Sequence, residues 1–210
     1  VMEYTLDPEV SVTFNKIMGT ETKDAYKEWD YYKQNAKNAL NQVLPEDLKQ
    51  IIQSMRTNNY PTALIIHNMP IDTQIPVTPE NGVRAPVPGQ SNGKGYVSES
   101  SLLGLCSLLD AHPDFDENEK DGTYINQIIP RDDEKSRRVA SSNGSEVPFY
   151  AHTENIYSVP PLKFFSLLCL RGDPKVATSM IFLDNILEFI KNDSRYDASM
   201  KEKIVEEMYR

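Results

Sequence analysis

The stretch FYAHTENIY, residues 149–157, decides how this chain is read. It places His152 and Glu154 two positions apart in a run rich in aromatic and apolar residues. On a β-strand successive side chains alternate faces, so residues two apart project the same way. An imidazole nitrogen and a carboxylate oxygen could then reach one ion. They are two of the three donors in the two-histidine, one-carboxylate set that holds non-haem iron(II). An H-x-E pair is short enough to arise by chance, so its surroundings carry the argument.

Downstream, Pro160-Pro161 precedes Lys163 to Leu170, an apolar strand. A turn at Arg171 to Pro174 leads to a further strand, Ala177 to Leu183. The chain closes on two short helices, 184–191 and 197–209. Upstream lie a polar loop, 131–146, and a strand, Tyr124 to Ile129, ended by Pro130. Ser98 to Leu109 reads as a helix with Ser98 and Ser100 as caps and a stripe of Leu102, Leu105, Cys106 and Leu109. Residues 69–95, dense in Pro and Gly, read as a long loop of functional kind. Thr62 to His67 is a short buried strand, and helices are expected over 24–40 and from Pro45 onward. A strand is expected at Val10 to Phe14. Helices come first and strands later, without strict alternation, which favours an α+β or β-rich domain over a doubly wound sheet.

The composition bounds the function. Of 210 residues, 39% are apolar and 25% charged, with 22 basic against 31 acidic side chains and a net charge of −9. Nucleic acid and anionic membranes both need a basic face, so neither is expected as a partner. No apolar run is long enough for a transmembrane helix. The opening VMEYTLDPEV has no basic or apolar leader pattern, so the expected location is cytoplasmic. Cys106 and Cys169, both in apolar surroundings, read as reduced core residues.

Other motifs have plainer readings. Asp114, Asp116 and Asn118 match an EF-hand start, but Glu119 replaces its glycine and Ile125 its bidentate glutamate, so the stretch reads as a solvated acidic loop. Arg171-Gly172-Asp173 is a turn, and Asn143-Gly-Ser145 and Asn192-Asp-Ser194 have meaning as glycosylation sites only in a secreted protein. His67, closing an apolar strand, and His112, before Pro113, read as structural. A zinc hydrolase built on His152 and Glu154 would need further His or Cys nearby.

Four blocks in order carry a resemblance: ALIIHNMPID (63–72), SLLGLCSLLDAHPDF (101–115), TYINQIIP (123–130) and SSNGSEVPFYAHTENIYSVPPLKFFSLLCLRGDPKVATSMIFLDNI (141–186). Together they resemble the clavaminate synthase-like branch of the Fe(II)/2-oxoglutarate-dependent oxygenases, in the taurine dioxygenase superfamily. The last block is the most specific, and the HTE form of the motif is typical of that branch. The resemblance implies a double-stranded β-helix (jelly-roll, cupin-like) core with flanking helices. It implies Fe(II) held by His152 and Glu154, and 2-oxoglutarate as co-substrate beside Ser179 or, failing that, Thr178. Asn126, or Gln127 under a one-residue register shift, would face an amino-acid-like substrate, with Ser142 and Asn143 in a loop over the site. The implied reaction hydroxylates an unactivated C–H bond. Glu154, where halogenating relatives lack a carboxylate, argues against halogenation.

The family also uses a distal histidine and, shortly after it, an arginine for 2-oxoglutarate. Here no histidine follows His152, and Arg195 and Arg210 are the only arginines after Arg171. The expectation is one oxygenase-like domain over 1–210, with a helical part at 1–60 and a β-helix segment at 61–210 that is incomplete in this chain. The alternative is a non-catalytic or truncated binding protein of the same fold.

Overall fold

The computed structural model describes residues 1–21, 23–75, 96–111, 125–126, 128–129, 134–140, 147–148, 150–153 and 162–208. Strand β1 (Met2–Thr5) leads into helix α1 (Pro8–Met18). The residues around Asp7 explain the helix. Asp7 accepts a hydrogen bond from the Glu9 amide at 2.8 Å, and Pro8 supplies the pre-set φ of a first helical turn. Val10, Phe14 and Met18 recur every four residues and are buried. The strand expected at Val10 to Phe14 is therefore a helix; its spacing of four was the signal that a short apolar run hides.

Helix α2 (Trp29–Val43) buries Tyr32, Ala36, Ala39 and Leu40. Helix α3 (Glu46–Asn58) buries Leu48 and Ile52 and ends at Asn59, whose φ of 55° is the left-handed stop that Asn tolerates. The chain returns as β2 (Leu64–His67), which pairs in parallel with β1 in the register Met2↔Leu64 to Thr5↔His67. Tyr4 donates to the Asp47 carboxylate at 2.8 Å, fastening β1 to α3.

Helix α4 (Val97–Leu108) makes the largest helix–helix contact among the described elements, against α2. Gly104 permits it. A Cβ there would stand 2.7 Å from Leu40 Cδ1 and 2.8 Å from the Ala36 carbonyl oxygen. The cap of α4 comes from far along the chain. The Asp72 carboxylate accepts from the Val97 and Ser98 amides at 3.3 and 2.9 Å and from the Ser98 hydroxyl at 2.7 Å, and the Ser98 hydroxyl in turn accepts from the Asp72 amide. Ser101 donates to the Pro70 carbonyl at 2.6 Å. Ser98 thus works through Asp72, and Ser100 instead donates back to the Tyr96 carbonyl. The buried face includes Leu103, Gly104 and Ser107, while of the expected stripe Leu109 enters the core and Leu102 and Leu105 pack against it half-buried.

The polar loop at 131–146 contains a single helical turn, α5 (Glu134–Arg137), among its described residues. Residues 162–169 carry no ladder, yet their burial alternates: Leu162, Phe164, Ser166 and Leu168 are half-buried while Lys163, Phe165, Leu167 and Cys169 are exposed. Cys106 and Cys169 are both free thiols, as expected, but Cys169 lies on the exposed side of this alternation and outside the core. Ile125, Asn126, Ile128, Ile129 and residues 177–182 carry no strand either. A strand is defined by a neighbour, and none pairs with these segments among the described residues.

The chain divides into two compact units: residues 1–149 with 154–171, and residues 150–153 with 172–210. The second holds α6 (Leu183–Asn192), which buries Leu187 and Ile190, and α7 (Ala198–Met208). Both helices fall where the sequence places them. Lys201 donates to the Lys191 carbonyl at 2.7 Å, tying α7 to the last turn of α6. No helix of the described residues is long and apolar enough to cross a membrane.

Two substitutions test this core. Gly104→Ala gains about 1 kcal/mol of intrinsic helix preference. Its methyl meets a backbone carbonyl, so overpacking costs ~1–3 kcal/mol and the net change is destabilising. Asp72→Ala removes the cap of α4 and costs about 1–2 kcal/mol. Urea unfolding of each variant measures both; a stabilised Gly104→Ala protein would mean that α2 and α4 are farther apart than described.

Candidate functional site

His152 lies in the second unit, in residues 150–153, which run without helix or strand. The ring is exposed, and its Nδ1 sits 2.8 Å from the Tyr150 carbonyl oxygen. A carbonyl can only accept, so Nδ1 is the donor in this contact. A histidine that binds metal commonly shows this arrangement: one nitrogen donates to a backbone carbonyl and the other faces the ion. The local chain therefore orients the ring with its own backbone, two residues upstream.

Thr178 and Ser179 belong to the same unit as His152 and are exposed in the irregular stretch before α6. Asn126 belongs to the first unit and is exposed. Glu154, Gln127, Ser142 and Asn143 lie outside the described residues, as do the acidic segment after His112 and His112 itself. The described structure thus gathers three of the eight candidate residues into one unit. Among the described residues no group of three or more His, Cys, Asp or Glu side chains could hold a metal ion.

The remaining chemistry-bearing side chains have structural partners. His67 Nε2 stands 3.2 Å from Glu3 across the β1–β2 pair, an exposed contact of small energetic weight. This agrees with a structural role. Arg195, the one described arginine after Arg171, is bidentate on Asp193 in the turn between α6 and α7, with Nη2 at 2.6 Å. The guanidinium holds the Asp193 carboxyl down at about 2. Arg195 is thus committed to a turn rather than poised for a ligand. Burial pushes the Cys106 thiol up, and its Sγ lies 3.7 Å from the Ser166 hydroxyl, so it is no thiolate nucleophile. An open groove of about 660 Å³ along α3, with Asn41 of α2 and Leu108 of α4 on its walls, is lined by amides, the hydroxyls of Ser54 and Thr57 and the paired Glu46 and Lys49, with no histidine among them to serve as a base.

One buried group escaped the sequence reading. Glu99, in the first turn of α4, is 5% exposed. Its Oε1 accepts from the Tyr26 hydroxyl at 2.9 Å, while Oε2 is buried without a hydrogen-bond partner among the described residues. Burial, above all, raises its carboxyl to about 7. The only sequence signal was a glutamate at the head of a helix that is otherwise serine and leucine, SESSLLGL, with no polar face for it to join.

No family model matches this chain, and neither does any curated protein or solved structure.

Proposed function

We propose that this chain is built as an Fe(II)/2-oxoglutarate-dependent oxygenase that acts on an amino-acid-like small molecule. The observation that carries the reading is the HTE motif, in which His152 has Nδ1 against a backbone carbonyl, as metal-binding histidines commonly do. The burial of residues 162–169 alternates with the period of two that a strand of a double-stranded β-helix core would have, although no ladder forms there among the described residues.

In this reading His152 Nε2 and the Glu154 carboxylate would hold the iron. When bound with 2-oxoglutarate and dioxygen, it would supply the coupling of decarboxylation to hydroxylation of a C–H bond. The chain supplies position. The Tyr150 carbonyl fixes the rotation of the imidazole. The Ser179 hydroxyl, or that of Thr178, donates to a carboxylate of 2-oxoglutarate. By the resemblance, Asn126, or Gln127, would hydrogen-bond the polar head of the substrate, and Ser142 and Asn143 would belong to a loop over it. The third metal ligand and the cation that would pair the far carboxylate of 2-oxoglutarate are not assigned to residues of this chain, since Arg195 is held by Asp193.

A second reading, a non-catalytic binding protein of the same fold, is favoured by one observation: His67, His112 and His152 are the only histidines, and none follows His152.

Anaerobic titration with Fe(II) and 2-oxoglutarate tests the site, followed by succinate release in air. His152→Ala should weaken iron binding by more than the ~10–100-fold typical of losing a mere supporting partner of a metal ligand. Because the ring is exposed, the same variant should change stability by no more than about 0.5 kcal/mol. Iron binding that His152→Ala leaves intact would refute the assignment. Binding that depends on His152 without succinate release above background would favour the non-catalytic reading.

A further inference from the structure

The groove along α3 takes no part in the proposed oxygenase site, yet its lining departs from an ordinary solvated helix face. Glu46, Gln50, Gln53 and Thr57 stand four, three and four residues apart, so they form one stripe down α3. The outer face of a helix commonly carries charges. Here Glu46 is tied to Lys49 at 3.3 Å, and every polar side chain of α3 that lines the groove beyond that pair is an uncharged amide or hydroxyl. The stripe is also sunken. Asn41 of α2 and Leu108 of α4 wall it, and the buried Ile52 lies beneath it.

The side-chain amides of Asn41, Gln50 and Gln53 are exposed and make no hydrogen bond among the described residues. A carboxamide holds a donor and an acceptor side by side, which matches the N–H and C=O of a peptide group. Gln50 and Gln53 are separated by about 4.5 Å of helix rise. Alternate peptide groups along one edge of an extended chain lie about 6.6 Å apart. Two glutamine arms, each with three rotatable bonds, span the difference. The volume of about 660 Å³ lies within the roughly 300–1,000 Å³ of ordinary ligand sites. Other ligand classes match the groove less well. Phosphates and nucleic acids need unpaired cations, and Lys49, the one cation of the described lining, is paired. No aromatic ring belongs to that lining, so a nucleobase has no face to stack on.

We propose that the α3 groove binds an extended, uncharged segment of a separate polypeptide by its main chain, with Gln50, Gln53 and Asn41 hydrogen-bonding successive peptide groups. Ile52 and Leu108 give a small apolar side chain of that segment a place to rest. Because the amides read main chain, binding tolerates changes of side chain and fails where peptide N–H groups are blocked. Because no ion pair is used, it varies little with salt.

NMR titration of the full chain with two capped peptides, Ser-Ala-Val-Ala-Ser and Thr-Ala-Leu-Ala-Thr, tests this. Both should shift the side-chain NH₂ signals of Gln50, Gln53 and Asn41, with half-saturation below about 1 mM. The same peptides N-methylated at their central residues should not. Gln50→Ala and Gln53→Ala should each weaken binding roughly tenfold. Both positions are exposed and alanine favours a helix, so the fold is kept, which far-UV circular dichroism checks. Gln53→Glu keeps the reach and the acceptor but loses the donor, and should weaken binding as well. Equal binding of the N-methylated peptides would overturn the proposal, as would binding that both alanine variants leave unchanged. So would no shift with either peptide up to that concentration, or shifts of the groove amides with chitotriose alone, which would make it a sugar site.

Discussion

The approach of α4 to α2 is limited by two backbones. At Gly104 there is no room for a methyl group between the Ala36 carbonyl and the Leu40 side chain. Helices can come this close only where small residues face each other, and Ala36, Ala39 and Gly104 supply them. The closeness has consequences along the whole of α4. Its first turn is carried inside, so Ser98, Glu99, Ser100 and Ser101 are all buried. Each must then find a partner within the protein or bear a desolvation cost. Asp72, Pro70 and Tyr96 meet the serines, and Tyr26 meets half of Glu99. The odd polar interior of this region is thus a result of backbone proximity set less than two turns away.

The helical part of the fold was largely legible. Helices α2, α3, α4, α6 and α7 and strand β2 stand within a few residues of where spacing and breakers place them. Strand β1 was not legible, because its four residues acquire meaning only from a partner more than sixty positions later. Helix α1 was misread because Val10, Val12 and Phe14 mimic alternation; the Asp7-Pro8 start and the fourfold spacing to Met18 outweigh it. The face of α4 was legible in part: Leu109 enters the core and Leu102 and Leu105 pack against it, but the head of the helix is enclosed all round, so Leu103 and the serines are buried as well.

His152 and Glu99 differ in the same way. His152 could be singled out from sequence because its meaning is local: a motif, and a backbone carbonyl two residues away. Glu99 could not, because a glutamate in the first turn of a helix is ordinarily an exposed and favourable partner of the helix dipole. Only the burial of the helix head turns it into a buried acid, with the charges of Asp72 and Asp24 adding to the effect and the Tyr26 hydrogen bond opposing it.

The parallel pairing of β1 with β2 bears on the order in which this protein can be made. Met2 finds its partner only when Leu64 has left the ribosome, and the face of α2 around Ala36 is sealed only when Gly104 follows. Three helices of the first sixty residues can form transiently before then, and α1 can meet α2, but the face of α2 that α4 seals has no cover. Closing so long a loop costs entropy that grows only slowly with its length. It must still be met before the contact rewards it, which makes such pairing slow. The nascent chain therefore passes through an interval in which Phe14, Tyr32 and Leu40 await residues not yet translated, and any factor that shields apolar surface during synthesis would find its substrate there.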